Sequence, residues 1–276
     1  MNETPVFGRA KVSTIMAEAT TSDSVDMRGG LCSKSYLGIL FTQLLGALND
    51  NMFRWFAVCV AQPVLGDDEA LAIGLASFTL PYLLLAVPAG YLADRYSKRS
   101  VIVGCKAAEI VIMAAGVLAI MTGSAWLLLF VVAIMGSQSA LFGPSKYGAI
   151  PETVTHEHLS TANGLMGLIT VGASAVGMTI GYWVYGLTTP DLTAPTWATL
   201  QIPAAVLLGV AVAGLLTSLA IGRLPVADPN RQLEWNLVTA TIRDLRTLKS
   251  SRPLYRTALG IAFFWMLASL AQINID

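Results

Sequence analysis

The stretch Gly90-Tyr91-Leu92-Ala93-Asp94-Arg95-Tyr96-Ser97-Lys98-Arg99 places a short charged break between two apolar runs, about 71–93 and 101–121. A bilayer span needs about 20 mainly apolar residues, so each run is long enough to cross and the break is a tight connection. Its charges are one-sided: Arg95, Lys98 and Arg99 outweigh Asp94, and basic residues at span ends mark the cytoplasmic side of a membrane. Gly90 lets neighbouring helices approach closely. Asp94 can cap the helix that follows or pair with a cation.

Outward from this loop the same alternation repeats. Apolar runs fall at about 36–63, 71–93, 101–121, 125–145, 162–187, 198–222 and 255–275. All are too long for barrel strands of about 9–11 residues and lack the in/out alternation of a barrel, so the expected class is an all-α integral membrane protein. Composition agrees: 55% of the 276 residues are hydrophobic and 12% charged, against about 25% charged in soluble domains. The formal net charge of zero leaves no basic footprint for nucleic acid.

Loop charges give an orientation. Arg28 and Lys34 precede the first run; the second connection holds Arg95, Lys98 and Arg99; the fourth begins with Lys146; the sixth carries Arg223, Arg231, Arg243, Arg246, Lys249, Arg252 and Arg256. The first, third and fifth connections hold no Lys or Arg, which predicts a cytoplasmic N-terminus and cytoplasmic even-numbered connections. Residues 1–35 read as a disordered cytoplasmic tail, polar and rich in Ser and Thr. The first run starts too late and is too long for a signal peptide, so it is retained as a helix.

The connection at 223–254 is long, polar and bracketed by Pro225 and Pro253. Val238, Ile242 and Leu245 recur at helical spacing within it, the pattern of an amphipathic helix on the membrane surface. The expected organisation is a bundle of six helices over 36–222, a cytoplasmic linker over 223–254, and a seventh helix over 255–276. Because the chain stops at Asp276 soon after that helix begins a second unit, it reads as truncated.

Several charges lie inside the apolar runs, where one at a helix centre costs roughly 2.5–3.5 kcal/mol on insertion scales and usually faces the bundle interior or a watery path. Asp50 and Arg54 are one turn apart and can share a face, with Asn49 and Asn51 beside them. They form either a structural ion pair or the lining of a cavity that handles a charged head group. Lys106 and Glu109 can pair at i, i+3; Lys106 can also snorkel to the cytoplasmic surface, while Glu109 lies deeper. Lys146, after Gly143-Pro144, either meets a phosphate or obeys the charge rule of the loops.

Other features read as packing. Gly164, Gly167, Gly172, Ala173, Ser174, Gly177 and Gly181 make a small-residue track suited to close helix contact. His156 and His158 flank Glu157 without Cys or further His, so they mark a solvated helix entry rather than a metal site. Cys32, Cys59 and Cys105 are isolated thiols. No nucleotide loop, catalytic triad or H-x-x-x-x-D acyltransferase motif is present, and neither an enzyme nor a cofactor is expected.

The loop at 90–99 resembles the signature loop of the major facilitator superfamily, with Gly90, Asp94, Arg95, Lys98 and Arg99 at matching positions and Ser97 where the family often has Gly. Phe41 to Arg54, Phe142-Gly143-Pro144-Ser145-Lys146-Tyr147-Gly148-Ala149-Ile150-Pro151-Glu152 and Thr161-Ala162-Asn163-Gly164 are similar to the bacterial lysophospholipid transporter branch of that superfamily. The resemblance implies the N-terminal six-helix half of a transporter plus its seventh helix, built from inverted three-helix repeats that alternate access to a midplane site. It implies a lysophospholipid as substrate, membrane lipid as surroundings, the inner membrane as location, and a fused or partner acyltransferase. Asn49, Asp50, Asn51, Arg54 and Glu109 are then the expected substrate residues, Lys146 a possible head-group contact, and the loop at 90–99 a conformational motif. An exporter of drugs or small metabolites, and a membrane module that only anchors an acyltransferase, are the alternatives.

Overall fold

The computed structural model describes residues 29–188, 197–233 and 236–273. The tail expected over 1–35 lies outside the described residues up to position 28, as do Arg28 and Asp276. The described chain forms helices α1 (Lys34–Leu65), α2 (Asp67–Arg95), α3 (Lys98–Thr122), α4 (Ala125–Thr153), α5 (Leu159–Thr188), α6 (Trp197–Leu219), α7 (Leu237–Ser250) and α8 (Arg252–Ile273), with a 3₁₀ turn at His156–His158 before α5. No strand is present among the described residues. A lone bridge instead pins Gly29 to Val154, tying the entry of α1 to the connection after α4.

Local chemistry sets the ends. Ser33 caps α1, its hydroxyl accepting from the Tyr36 amide at 3.3 Å. Gly66 turns the chain at φ 95°, a conformation that a side chain would strain. Asp67, Asp68 and Glu69 then occupy the first turn of α2, where the helix dipole favours negative charge. Asn236 caps α7, accepting from the Thr239 amide at 3.1 Å.

Five helical segments among the described residues are long and apolar enough to cross a membrane: α2, α3, α4, the 3₁₀ turn with α5, and Leu200–Leu219 of α6. Neither α1 nor α8 is among them, although both were expected spans. In α1 the apolar run is diluted by Thr42, Gln43, Asn49, Asp50, Asn51 and Arg54. This helix is the centre of the bundle, packed by α2, α4, α5 and α6, so its polar side chains face protein. Leu83, Val111 and Leu168 on the surrounding helices point outward, as lipid-facing residues should.

Two packing expectations change. Of the small-residue track on α5, Gly177 and Gly181 do bring helices together: a Cβ there would stand 2.5 Å from the Leu48 and Met52 carbonyl oxygens of α1. Gly164, Gly167 and Gly172 meet nothing within 4 Å, so this part of the track packs against no described residue. Gly90 likewise meets nothing within 4 Å, and no close helix approach occurs at it among the described residues.

The connection at 223–254 contains the helix expected there, α7, with Ile242 and Leu245 exposed. The side chain of Val238 lies outside the described residues. The His156 and His158 turn is a helix entry, and no cluster able to hold a metal occurs among the described residues. Cys59 and Cys105 are buried free thiols.

Candidate functional site

Along α1 the apolar core is interrupted. Tyr36 and Ile39 belong to one cluster, with Ile102, Phe142 and Ile150. Met52, Phe53 and Phe56 belong to another, with Met113 and Met135. Between them, from Thr42 to Asn51, lies a polar layer that α3, α4, α5 and α6 complete.

The layer is organised around three charged centres: the Lys106–Glu109 pair, Asp50 with its unbonded neighbour Arg54, and Lys146. In the first, the Lys106 ammonium donates to Glu109 Oε2 at 2.5 Å and Asn49 Nδ2 to Glu109 Oε1 at 2.9 Å. Lys106 and Glu109 are 2% and 1% exposed, so the lysine does not snorkel to a surface. Gly46 makes this possible, because a Cβ at that position would collide with the Lys106 ammonium.

Asp50 centres the second network. Its Oδ2 accepts from the Ser139 hydroxyl at 2.6 Å, Ser139 also lies 3.3 Å from Gln138 Oε1, and Gln138 donates to the Cys105 carbonyl at 3.0 Å. Asp50 Oδ1 is buried without a hydrogen-bond partner. Asp50 makes no ion pair with Arg54, contrary to one of the two sequence readings. Arg54 donates instead to Asn51 Oδ1 at 2.7 Å, and Asn51 donates to the Ala47 carbonyl and to Ser174 of α5 at 2.8 and 3.0 Å. The guanidinium also lies 5.3 Å from the Phe78 ring centre.

Lys146 forms the third. The sequence places it at the start of the fourth connection, at the cytoplasmic end of the fourth helix, but α4 continues through Pro144 and Pro151 to Thr153. The ammonium is therefore buried and donates to Gln43 Oε1 at 2.8 Å, while Gln43 donates to Thr170 of α5 at 2.9 Å. The Phe142 and Tyr147 rings flank it at 5.3 and 4.6 Å. No carboxylate pairs with it among the described residues. Among the described residues of this layer, the basic side chains Arg54, Lys106 and Lys146 thus stand against the carboxyl groups of Asp50 and Glu109. Gln43, Gln138 and Ser139 escaped the sequence reading because neutral polar side chains in an apolar helix can also bond to their own backbone.

The loop at 90–99 lies away from this layer, and its charges hold neighbouring segments. Asp94 does not cap α3; its Oδ2 accepts from Arg231 at 2.6 Å and its carbonyl accepts from the Asp228 amide at 2.9 Å. Lys98 pairs with Glu152 at 2.5 Å. Arg99 Nε donates to the Ile221 carbonyl at 2.6 Å, just past the end of α6, and Ser97 to the Leu224 carbonyl at 2.8 Å. Arg95 is half-buried.

A cavity of about 660 Å³ lies between α1, α2 and α5, with Arg54, Trp55, Asp67, Asp68 and Tyr182 among its lining. Asp50 does not line it.

A family model described as Major Facilitator Superfamily matches residues 39–275. The chain is 29% identical over 199 residues to the lysophospholipid transporter LplT of Serratia proteamaculans, covering 72% of this chain and 46% of that protein. It is 25% identical over 248 residues to the protein of the same name from Cronobacter sakazakii, covering 88% and 57%. A third LplT, from Salmonella arizonae, is 28% identical over 160 residues, covering 58% and 39%. The chain thus spans about half the length of the curated relatives it matches. No solved structure matches it. A multi-pass helical bundle, a signature loop at 90–99 and a family match over most of the chain lead to one assignment: the chain belongs to the Major Facilitator Superfamily of membrane transporters.

Proposed function

We propose that the protein moves a lysophospholipid across the inner membrane by alternating access, with its N-terminus cytoplasmic and this chain supplying the N-terminal bundle, the linker and the seventh helix. The observation that carries the reading is the polar layer around α1, where α1, α3 and α4 together bury two carboxylates and three basic side chains in an apolar bundle. Such groups are expensive in a membrane and mark substrate or ion pathways. Asn49, Asp50, Asn51, Arg54, Glu109 and Lys146 are the residues proposed to handle the head group, while the acyl chain stays in lipid. The LplT relatives support the substrate class. The loop at 90–99, held to the linker through Asp94 and Arg231, is proposed to control the change of conformation rather than to bind substrate. An acyltransferase, fused or separate, would consume a transported lysophospholipid by reacylating it.

The test is uptake of labelled lysophosphatidylethanolamine by vesicles carrying the full protein. Uptake above empty vesicles is expected. Its absence, with uptake of a soluble drug or metabolite in its place, overturns the substrate assignment and keeps the fold.

A further inference from the structure

We propose that α7 binds anionic phospholipid: it lies in the bilayer surface, seats Ile242 and Leu245 at the edge of the acyl chains, and holds lipid phosphates with Arg246, Lys249, Arg252 and Arg256. Its place on the cytoplasmic side rests on the membrane orientation proposed above; its preference for anionic lipid rests on the helix itself.

A helix of 14 residues is marginal in water by itself, and packing of an apolar face normally supplies its stability. In the described chain α7 packs against α8 and α2. Among its described side chains Ala240 is buried and Leu248 half-buried, while Ile242 and Leu245 are 44% and 58% exposed. The exposed pair needs a cover, and the position of the helix supplies one. A single residue, Ser251, separates α7 from α8. That next helix exposes Leu259, Ile261 and Phe263 along an apolar length that begins behind Arg252 and Arg256. With α8 entering the bilayer at its basic end, α7 has no length of chain with which to leave the surface.

Charge complementarity makes that cover an anionic lipid surface rather than a neutral one. From Leu237 to Arg256 the basic residues are Arg243, Arg246, Lys249, Arg252 and Arg256, against the single acid Asp244. Arg243 lies 3.6 Å from that acid. The other four basic side chains are exposed and make no ion pair among the described residues. Arg246 follows Ile242 by four positions, and Lys249 follows Leu245 by four, so each cation shares a stripe with an exposed apolar residue one turn before it. Such a stripe settles its apolar residues at the boundary of head groups and acyl chains while the long basic side chains reach the phosphates. Basic clusters beside a membrane helix are drawn to anionic leaflets in this way. The same connection carries Arg231, bound to Asp94 at 2.6 Å, so lipid held at α7 anchors the strap that holds the loop at 90–99.

The experiment places an environment-sensitive fluorophore at position 242 of the full protein, through Ile242→Cys in a Cys32→Ser background, and reconstitutes it in mixed phosphatidylcholine and phosphatidylglycerol vesicles. Quenching by doxyl-labelled phosphatidylglycerol is compared with quenching by equally labelled phosphatidylcholine at the same fraction, and with quenching by acrylamide from the water. The labelled phosphatidylglycerol is expected to quench several fold better, and acrylamide poorly. That preference should fall to parity in Arg246→Gln/Lys249→Gln and at high salt, which screens the attraction. The salt measurement needs no change at the basic residues, so it remains informative if the double variant fails to fold. Equal quenching by the two lipids overturns the proposal. So does quenching by acrylamide alone, which puts the face in water, and quenching by neither, which puts it under another part of the protein. Lysophosphatidylethanolamine uptake by the same vesicles keeps the two readings apart: lipid preference without uptake sinks the transport reading alone, and uptake without lipid preference sinks the α7 contact alone.

Discussion

Asp50 and Arg54 sit one turn apart on α1 and hold different neighbours: Asp50 accepts from Ser139 of α4, while Arg54 donates to Asn51, which reaches Ser174 of α5. Lys106 and Glu109 on α3, by contrast, bond each other directly at 2.5 Å. Two acid–base couples in one polar layer therefore differ in kind, one without a direct bond and shared out to other helices, the other bonded directly, with Asn49 of α1 on the free oxygen of Glu109.

That difference predicts unequal coupling. Removing one member of a buried pair costs about 3–5 kcal/mol because the other charge is left alone, whereas replacing both with apolar residues is often near neutral. Glu109→Gln should sharply lower thermal stability in detergent, and Lys106→Met should restore much of the loss. The same cycle at Asp50 and Arg54 should give a smaller coupling energy. Equal couplings would mean that the two pairs work alike.

The glycines of α5 divide into two predicted classes. Ala at Gly177 or Gly181 pushes a methyl group against the α1 backbone, and overpacking of this kind costs about 1–3 kcal/mol. Ala at Gly164, Gly167 or Gly172 meets no atom of the described chain and should leave this bundle as stable or raise it by roughly 0.5–1 kcal/mol through helix propensity. Thermal unfolding of single variants separates the classes; uniform loss across all five positions would refute the division.

At the charged loop, Arg99 bonds the Ile221 carbonyl beyond the end of α6, and Arg231 bonds Asp94. The second pair is 40% and 35% exposed, so its direct stabilisation is about 1 kcal/mol or less. Asp94→Asn is accordingly expected to slow transport while leaving substrate affinity within a few fold. Arg99→Ala is expected to loosen the backbone from Leu219 to Leu224, visible as faster amide exchange there. Normal turnover with a large affinity loss in Asp94→Asn would place the loop in the binding path instead.

Much of this molecule was legible in the chain, for definite reasons. Apolar runs long enough to span and the spacing of Gly90, Asp94, Lys98 and Arg99 gave the class and the family, because both signals are local. Pairing of Lys106 with Glu109 was legible because three residues on a helix are neighbours. What escaped needs tertiary contact. Gly46 makes room for a lysine on another helix, Ser139 reaches Asp50 across the bundle, and Arg231 finds Asp94 from 137 positions away. Lys146 was misplaced because Gly143-Pro144 reads as a helix end, yet the helix runs through it to Thr153.

Lys146 supports the sharpest prediction for the central layer. If its charge served only to orient the chain, it would belong in a loop, and other basic residues could replace it. Instead it is 8% exposed, held by a neutral amide and two aromatic rings, with no carboxylate partner among the described residues. A buried cation without a counter-ion is costly, and a substrate phosphate is a natural counter-ion. Lys146→Met removes the charge with a similar apolar stem, so it should fold at least as well as wild type and lose most lysophospholipid uptake. Lys146→Arg keeps the charge and should retain part of that uptake. Thermal stability and vesicle uptake measured together decide the matter: a stable Lys146→Met protein with full uptake would return this lysine to a purely structural role.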